Sequence, residues 1–179
     1  MTHPAERPRN VRAVVFDLDG TLVDSYDAIA ASLNHARAGW SLPALDDATV
    51  RRGVGRGLEA LIEDHVGADR VEEGVRRFRA TYADVYAERT FALPGAVETV
   101  RTLAGCGVRL AVASNKPARF TRPILEHLGM AAAIESVHGP DTVGATKPDP
   151  AMIRRCLTDL ETGTDHAIYV GDMVLDVES

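Results

Sequence analysis

Apolar positions along the chain follow two rhythms. Short, mainly apolar runs at residues 11–16 (VRAVVF), 108–114 (VRLAVAS) and 166–172 (HAIYVGD) read as buried strands, with a weaker fourth at 134–139 (IESVHG). A strand covered on both faces carries apolar side chains on consecutive residues. Between these runs the spacing changes to three and four. In residues 95–107, Val97, Val100 and Leu103 share a face and the pattern stops at Gly105. Residues 121–128 form a second helix that ends at Gly129, with Pro123 suited to its first turn. Asp149 and Pro150 read as the N-cap and first residue of a third helix running to Leu160. Strands alternating with helices predict βαβ units around a parallel sheet.

Residues 25–93 break that alternation. They contain no convincing strand, and helices are predicted over 26–38, 57–66 and 69–88. The last is the clearest, with Val71, Val75, Phe78, Tyr82 and Val85 at spacings of four and three. Asp69 and Glu72 resemble a capping box at its start. The expected architecture is α/β, with a parallel core formed by residues 1–24 and 94–179 and a helical insertion, residues 25–93, between its first strand and the rest.

Composition narrows this only slightly. At 179 residues, 45% hydrophobic and 26% charged, the chain suits a soluble domain able to bury a core. Its net charge of -6 argues against a general nucleic-acid surface. No apolar run is long enough to cross a bilayer and no secretory signal is visible, so a cytoplasmic protein is expected. Residues 1–10 read as a loose polar arm. Cys106 and Cys156 match no zinc or disulfide spacing and read as buried, inert thiols. The cations are uneven: 18 arginines and two lysines, Lys116 and Lys147, each directly before a proline.

Ligands bind at the carboxyl ends of strands in open parallel sheets. Asp17, Asp19, Gly20 and Thr21 follow the first strand. Ser114, Asn115 and Lys116 follow the second, and Asp172 and Asp176 the third. Lys147 lies in the loop GATKPDP. Alone, each has a plainer reading: Asp19-Gly20 is a turn signal, Ser114-Asn115 a turn, Lys147 a solvated charge. A calcium loop does not fit, because Gly20 stands at the fourth position counted from Asp17 and Ala28 at the twelfth. Together they place carboxylates, a hydroxyl, an amide and lysine at one edge. Two carboxylates in contact repel by roughly 4 kcal/mol at an effective dielectric near 20, so such a cluster calls for a cation. Oxygen ligands beside a phosphate point to Mg²⁺.

These segments, DLDGT (residues 17–21), ASN (113–115), Lys147 in KPDP and GDMVLD (171–176), resemble in order the four motifs of the haloacid dehalogenase superfamily. The resemblance implies a Rossmann-like core with an inserted all-helical cap domain. Within the superfamily the chain is most similar to phosphoglycolate phosphatases, through ASNKP (113–117), VGRGLEALI (54–62) and LPGAVETVRTL (93–103). It implies a Mg²⁺-dependent phosphatase acting on a small phosphorylated metabolite, 2-phosphoglycolate first, through an aspartyl-phosphate intermediate. Asp17 would be the nucleophile and Asp19 the acid and base. Asp17, the Asp19 carbonyl and Asp172 would hold metal, Ser114, Asn115 and Lys147 the phosphoryl group. Asp176 would support metal-bound water or Lys147. A dehalogenase needs neither the acid at residue 19 nor a metal, so Asp19 favours phosphoryl chemistry. Arg56, in the glycine-rich cap segment, is expected to approach the substrate's carboxylate, and Lys116 to project into solvent. The alternatives are a β-phosphoglucomutase-like or pyrophosphatase-like enzyme, or a phosphate-binding or interaction protein with little turnover. The last arises because superfamily members continue past the fourth motif. With Ser179 following that motif, the expectation is either a fragment or a sheet that ends short with an exposed edge.

Overall fold

The computed structural model describes residues 10–179, so the arm expected over residues 1–10 lies outside the described residues except for Asn10. In chain order the elements are β1 (Ala13–Phe16), β2 (Val23–Asp24), α1 (Tyr26–Ala38), α2 (Asp47–Gly53), α3 (Leu58–Val66), α4 (Val71–Val85) and β3 (Phe91–Ala92). There follow α5 (Ala96–Gly105), β4 (Arg109–Ala113), α6 (Ala118–His127), β5 (Ser136–His138), α7 (Pro140–Val143), α8 (Ala151–Asp159), β6 (Ala167–Val170) and α9 (Val174–Glu178).

The four apolar runs become one parallel sheet in the order β5-β4-β1-β6. Side chains alternate between its faces, and around β1 and β4 both faces are covered, which is why those strands are almost wholly apolar. Val14, Phe16, Leu110 and Val112 pack against Val100 of α5 and Leu125 of α6. Ala13, Val15, Ala111 and Ala113 pack against Met152, Cys156 and Leu160 around α8. Each fully buried Leu or Val contributes roughly 1.5–3 kcal/mol. The register sets Phe16 level with Val112 on one side and Val170 on the other. The carboxyl ends of β1, β4 and β6 therefore open at one height.

Helices α1 to α4 bury a separate apolar cluster that includes Leu33, Val50, Ile62, Phe78 and Tyr82. The chain passes between this cluster and the sheet through a two-stranded antiparallel ribbon, Val23 opposite Ala92 and Asp24 opposite Phe91. Strands of two residues have no alternation to read, so the absence of strands expected over residues 25–93 needs this correction. The helix α2 was likewise not expected; Asp46 caps it by accepting a hydrogen bond from the Thr49 N–H at 2.7 Å.

Other local expectations shift. The chain enters α4 through a 3₁₀ turn at Ala68–Arg70, and no side chain caps it, so Asp69 and Glu72 form no capping box. Helix α6 begins three residues before Thr121, leaving Pro123 inside it. Asp141 of α7 explains the extension, since its carboxylate accepts from the N–H groups of Ala118 and Arg119 at 2.7 and 3.2 Å. Cys156 is buried, its thiol pushed up to about 12 chiefly by burial, whereas Cys106, just past the end of α5, is exposed. β6 is an edge strand, and Ile168, Val170, Val174 and Val177 are exposed beside it. No helix among the described residues is long and apolar enough to cross a membrane.

Candidate active site

Asp17 sits one residue past β1, and its N–H donates to the Val170 carbonyl at 2.8 Å, carrying the sheet register into the loop. The chain then alternates: Asp17 and Asp19 face the strand ends while Leu18 is fully buried below them. The turn closes as Gly20 N–H donates to the Val23 carbonyl at 2.8 Å. Gly20 has φ +85, in the left-handed region, and a Cβ there would lie 2.3 Å from Asp172 Oδ2. Glycine thus permits both the turn and the close approach of Asp172.

Asp17, Asp172 and Asp176 each bring a carboxylate oxygen within 4.8 Å of the others. Lys147 Nζ lies 2.9 Å from Asp17 Oδ1 and 2.6 Å from Asp176 Oδ1. The contact to Asp17 is a close ion pair, and among the described residues Asp17 Oδ1 has no donor besides that ammonium. Burial raises the Asp17 pKa to about 6 despite the opposing charge of Lys147, with Asp19 and Asp176 adding to the rise. Asp172 is also raised, first by burial. Asp176 moves the other way. Burial opposes its ionisation, but the Lys147 ammonium, the Met173 N–H and the Tyr169 hydroxyl together outweigh it.

The oxygens divide accordingly. Asp176 is committed to Lys147, Tyr169 and Met173, whereas among the described residues Asp17 Oδ1 meets only the Lys147 ammonium and Asp172 only Thr21, at 3.4 Å. Two open carboxylates of hard oxygen fit a small divalent cation, which takes one or two carboxylates and keeps water for the rest. The Asp19 carboxylate, by contrast, accepts from Ser25 Oγ and pairs with Lys116 Nζ at 3.1 Å. Among side chains, the third acidic corner is Asp176 and not Asp19.

Ser114 and Asn115 line the same cavity. Ser114 Oγ accepts from the Lys116 N–H at 3.3 Å, leaving its own hydroxyl proton unassigned. Asn115 Oδ1 accepts from the Lys147 N–H at 2.7 Å, and its amide donates to the carbonyl of Gly55 at 2.8 Å. Asn115 therefore ties the Lys147 loop to the segment that precedes α3.

Two expectations are corrected. Lys116 is buried and does not reach solvent: its ammonium donates to Tyr82 Oη at 2.7 Å and pairs with Asp19. Burial alone would lower its pKa, but the Asp19 charge and the phenol hold it above the ordinary lysine value. Arg56 pairs with Asp64 on α3, and its side chain is 60% exposed. The glycines flanking it, Gly55 and Gly57, line the cavity, but Arg56 does not. A different arginine, Arg79 of α4, does line it; Glu59 holds its Nη2 at 3.1 Å and its buried Nε has no acceptor. Arg79 occupies a helix face whose apolar partners Phe78 and Tyr82 are legible in sequence, but nothing there marks the arginine.

The cavity has a volume of about 90 Å³. On the scale of roughly 10–15 Å³ per water, it has room for several waters or a small molecule. Asp17, Asp19 and the two lysines close one end, and Ile29, Leu61, Phe78 and Phe120 supply apolar walls.

Residues 14–179 match the family model described as haloacid dehalogenase-like hydrolase. Phosphoglycolate phosphatase of Rhodospirillum rubrum is 38% identical over 177 residues, covering 93% of this chain and 73% of that protein. Phosphoglycolate phosphatase 1 of Pseudomonas aeruginosa is 33% identical over 175 residues, and the match spans 93% of this chain but only 64% of the relative's length. Among solved structures, a predicted phosphoglycolate phosphatase from Haemophilus somnus 129pt superimposes with a TM-score of 0.85 at 26% identity, covering 94% of this chain and 80% of that one.

Proposed function

This chain belongs to the haloacid dehalogenase-like hydrolases, and on that premise we propose that it is a Mg²⁺-dependent phosphatase of a small phosphomonoester, 2-phosphoglycolate. The observation that carries the reading is Asp17. It is a buried carboxylate at a strand end, and among the described residues its Oδ1 meets only the ammonium of a buried lysine. The names of the similar phosphoglycolate phosphatases support the choice of substrate. Residues 1–24 and 94–179 form the catalytic core in this reading, and residues 25–93 the cap that covers it.

In the first half-reaction Asp17 attacks phosphorus. An oxygen–phosphorus bond forms to its carboxylate as the bond to the leaving alcohol breaks, and Asp19 passes a proton to the departing oxygen. In the second half Asp19 takes a proton from the water that attacks phosphorus. Inorganic phosphate leaves, and the Asp17 carboxylate is restored. Lys147 offsets charge on the transferring group and is itself aimed by Asp176, while Ser114 donates its free hydroxyl proton. Asn115 acts chiefly by fixing the Lys147 main chain. Asp17, the main-chain carbonyl of Asp19 and Asp172 would hold Mg²⁺, which supplies positive charge against the phosphate dianion when bound. Apolar walls exclude bulk water and strengthen each of these interactions.

Trapping the intermediate tests the proposal. Protein mixed with Mg²⁺ and 2-phosphoglycolate is quenched in acid within a turnover and its peptides mapped. A phosphoryl group on the peptide containing Asp17, lost in Asp17→Asn, is the expected result. Turnover with no phosphoryl group on that peptide at any quench time contradicts it.

A further inference from the structure

We infer that Lys116, held by Tyr82, recognises the acid end of the substrate; the inference rests on the phosphatase reading above and assigns the residue that makes it selective for short phospho-acids.

Usage of cations points to this residue first. The chain has 18 arginines and only two lysines, and both lysines are buried in the one cavity, 9% and 6% exposed. Arginine serves the surface ion pairs, such as Arg76 with Glu73 and Arg109 with Glu135. Both lysines, by contrast, present a compact point charge to buried carboxylates, Lys116 to Asp19 and Lys147 to Asp17 and Asp176.

The two lysines divide the cavity. Lys147 stands with Asp17 and Asp176, at the position of the transferring phosphoryl group. Lys116 stands with Asp19, 3.1 Å away, and Tyr82. Asp19 protonates the leaving oxygen across a hydrogen bond of about 2.6–3.2 Å. Lys116 Nζ is therefore within two hydrogen bonds and the width of one carboxylate of that oxygen. A carboxylate one methylene beyond the ester oxygen falls within reach of it. An ammonium has three N–H donors, and Asp19 and Tyr82 take two. The third has no acceptor among the described residues.

Other cations are less well placed. Arg56 is turned to Asp64 on the surface. Arg79 lines the cavity from the α4 wall, anchored by Glu59, and is the competing candidate. Phe78 and Phe120 are among the apolar walls of the cavity, and Arg79, with a buried Nε that has no acceptor among the described residues, is the one rival donor weighed in the test below.

A matched substrate pair tests the inference: 2-phosphoglycolate and ethyl phosphate, which have the same two-carbon leaving group with and without the acid. The readout is the ratio of their kcat/KM values in Mg²⁺. Lys116→Met is expected to lower this ratio about 30-fold or more, and Tyr82→Phe to lower it several-fold by loosening the lysine. Arg56→Ala is expected to leave it within twofold. The Tyr82→Phe arm keeps the test open if Lys116→Met folds poorly. A ratio unchanged in both Lys116→Met and Tyr82→Phe, or one that falls only in Arg79→Met, overturns the inference while the phosphatase reading stands. Wild-type protein that releases phosphate from neither ester overturns both.

Discussion

Lys147 and Asp17 form a buried ion pair, nitrogen and oxygen 2.9 Å apart, with side chains only 4% and 6% exposed. Asp176 shares the same ammonium at 2.6 Å, so one lysine balances two buried carboxylates. Taking the lysine away leaves both uncompensated in a medium that solvates charge poorly.

Lys147→Met is therefore expected to destabilise the fold by about 3–5 kcal/mol, the usual cost of removing one partner of a buried pair. Urea unfolding at neutral pH measures it. The same variant is expected to lose phosphatase activity by two orders of magnitude or more.

Asp17→Asn is expected to change stability with the opposite sign. The folded-state pKa of Asp17 is about 6 against an unfolded value of 3.8, so the folded protein favours its protonated form. In wild type, the stabilising contribution of the proton is complete below about pH 3.8 and is lost as pH rises through 6. Asparagine, neutral at all pH, escapes that loss. In metal-free buffer at pH 7.5 the variant is expected to melt several degrees above wild type, from up to roughly 3 kcal/mol at about 1.4 kcal/mol per pKa unit. The difference is expected to vanish near pH 4, as thermal melts across pH will reveal.

Gly20→Ala puts a methyl group 2.3 Å from Asp172 Oδ2, at φ +85. The left-handed backbone costs about 1–2 kcal/mol, and Asp172 must also withdraw. The expected result is a modest loss of stability with a tenfold or greater loss in apparent Mg²⁺ affinity, measured as the metal dependence of Tm.

Asn115→Ala removes the link from the Lys147 loop to Gly55. The expected effect is about 1–3 kcal/mol of local stability, with faster amide exchange over residues 54–58 and 145–149. Exchange mass spectrometry of the two segments checks it, since a global loss would speed exchange everywhere.

Much of the architecture was legible because burial on both faces leaves β1 and β4 almost wholly apolar, and β6 is apolar although it lies half exposed at the edge. All four runs are strands of the sheet, and Asp17, Ser114 and Asp172 follow three of them at the level its register sets. What could not be read depends on partners distant in sequence. Helix α6 begins early because Asp141 reaches its first N–H groups. The β2–β3 ribbon is two residues long and has no pattern of its own. Arg56 looked aimed at the cavity because glycines flank it, but Asp64, one turn and more along α3, captures it. Lys116 was expected in solvent because lysines are mostly exposed unless paired. Its one signal was compositional: with so many arginines, a lysine is a choice.

The central claim is that Asp17 attacks a phosphoryl group at this strand edge. The most direct measurement is phosphate release from 2-phosphoglycolate with Mg²⁺ by wild type and Asp17→Asn side by side, each first verified as folded by its melt. Release by wild type and a loss of at least a thousandfold in the variant is the predicted result. Equal release from the two proteins, or none from wild type, would contradict it.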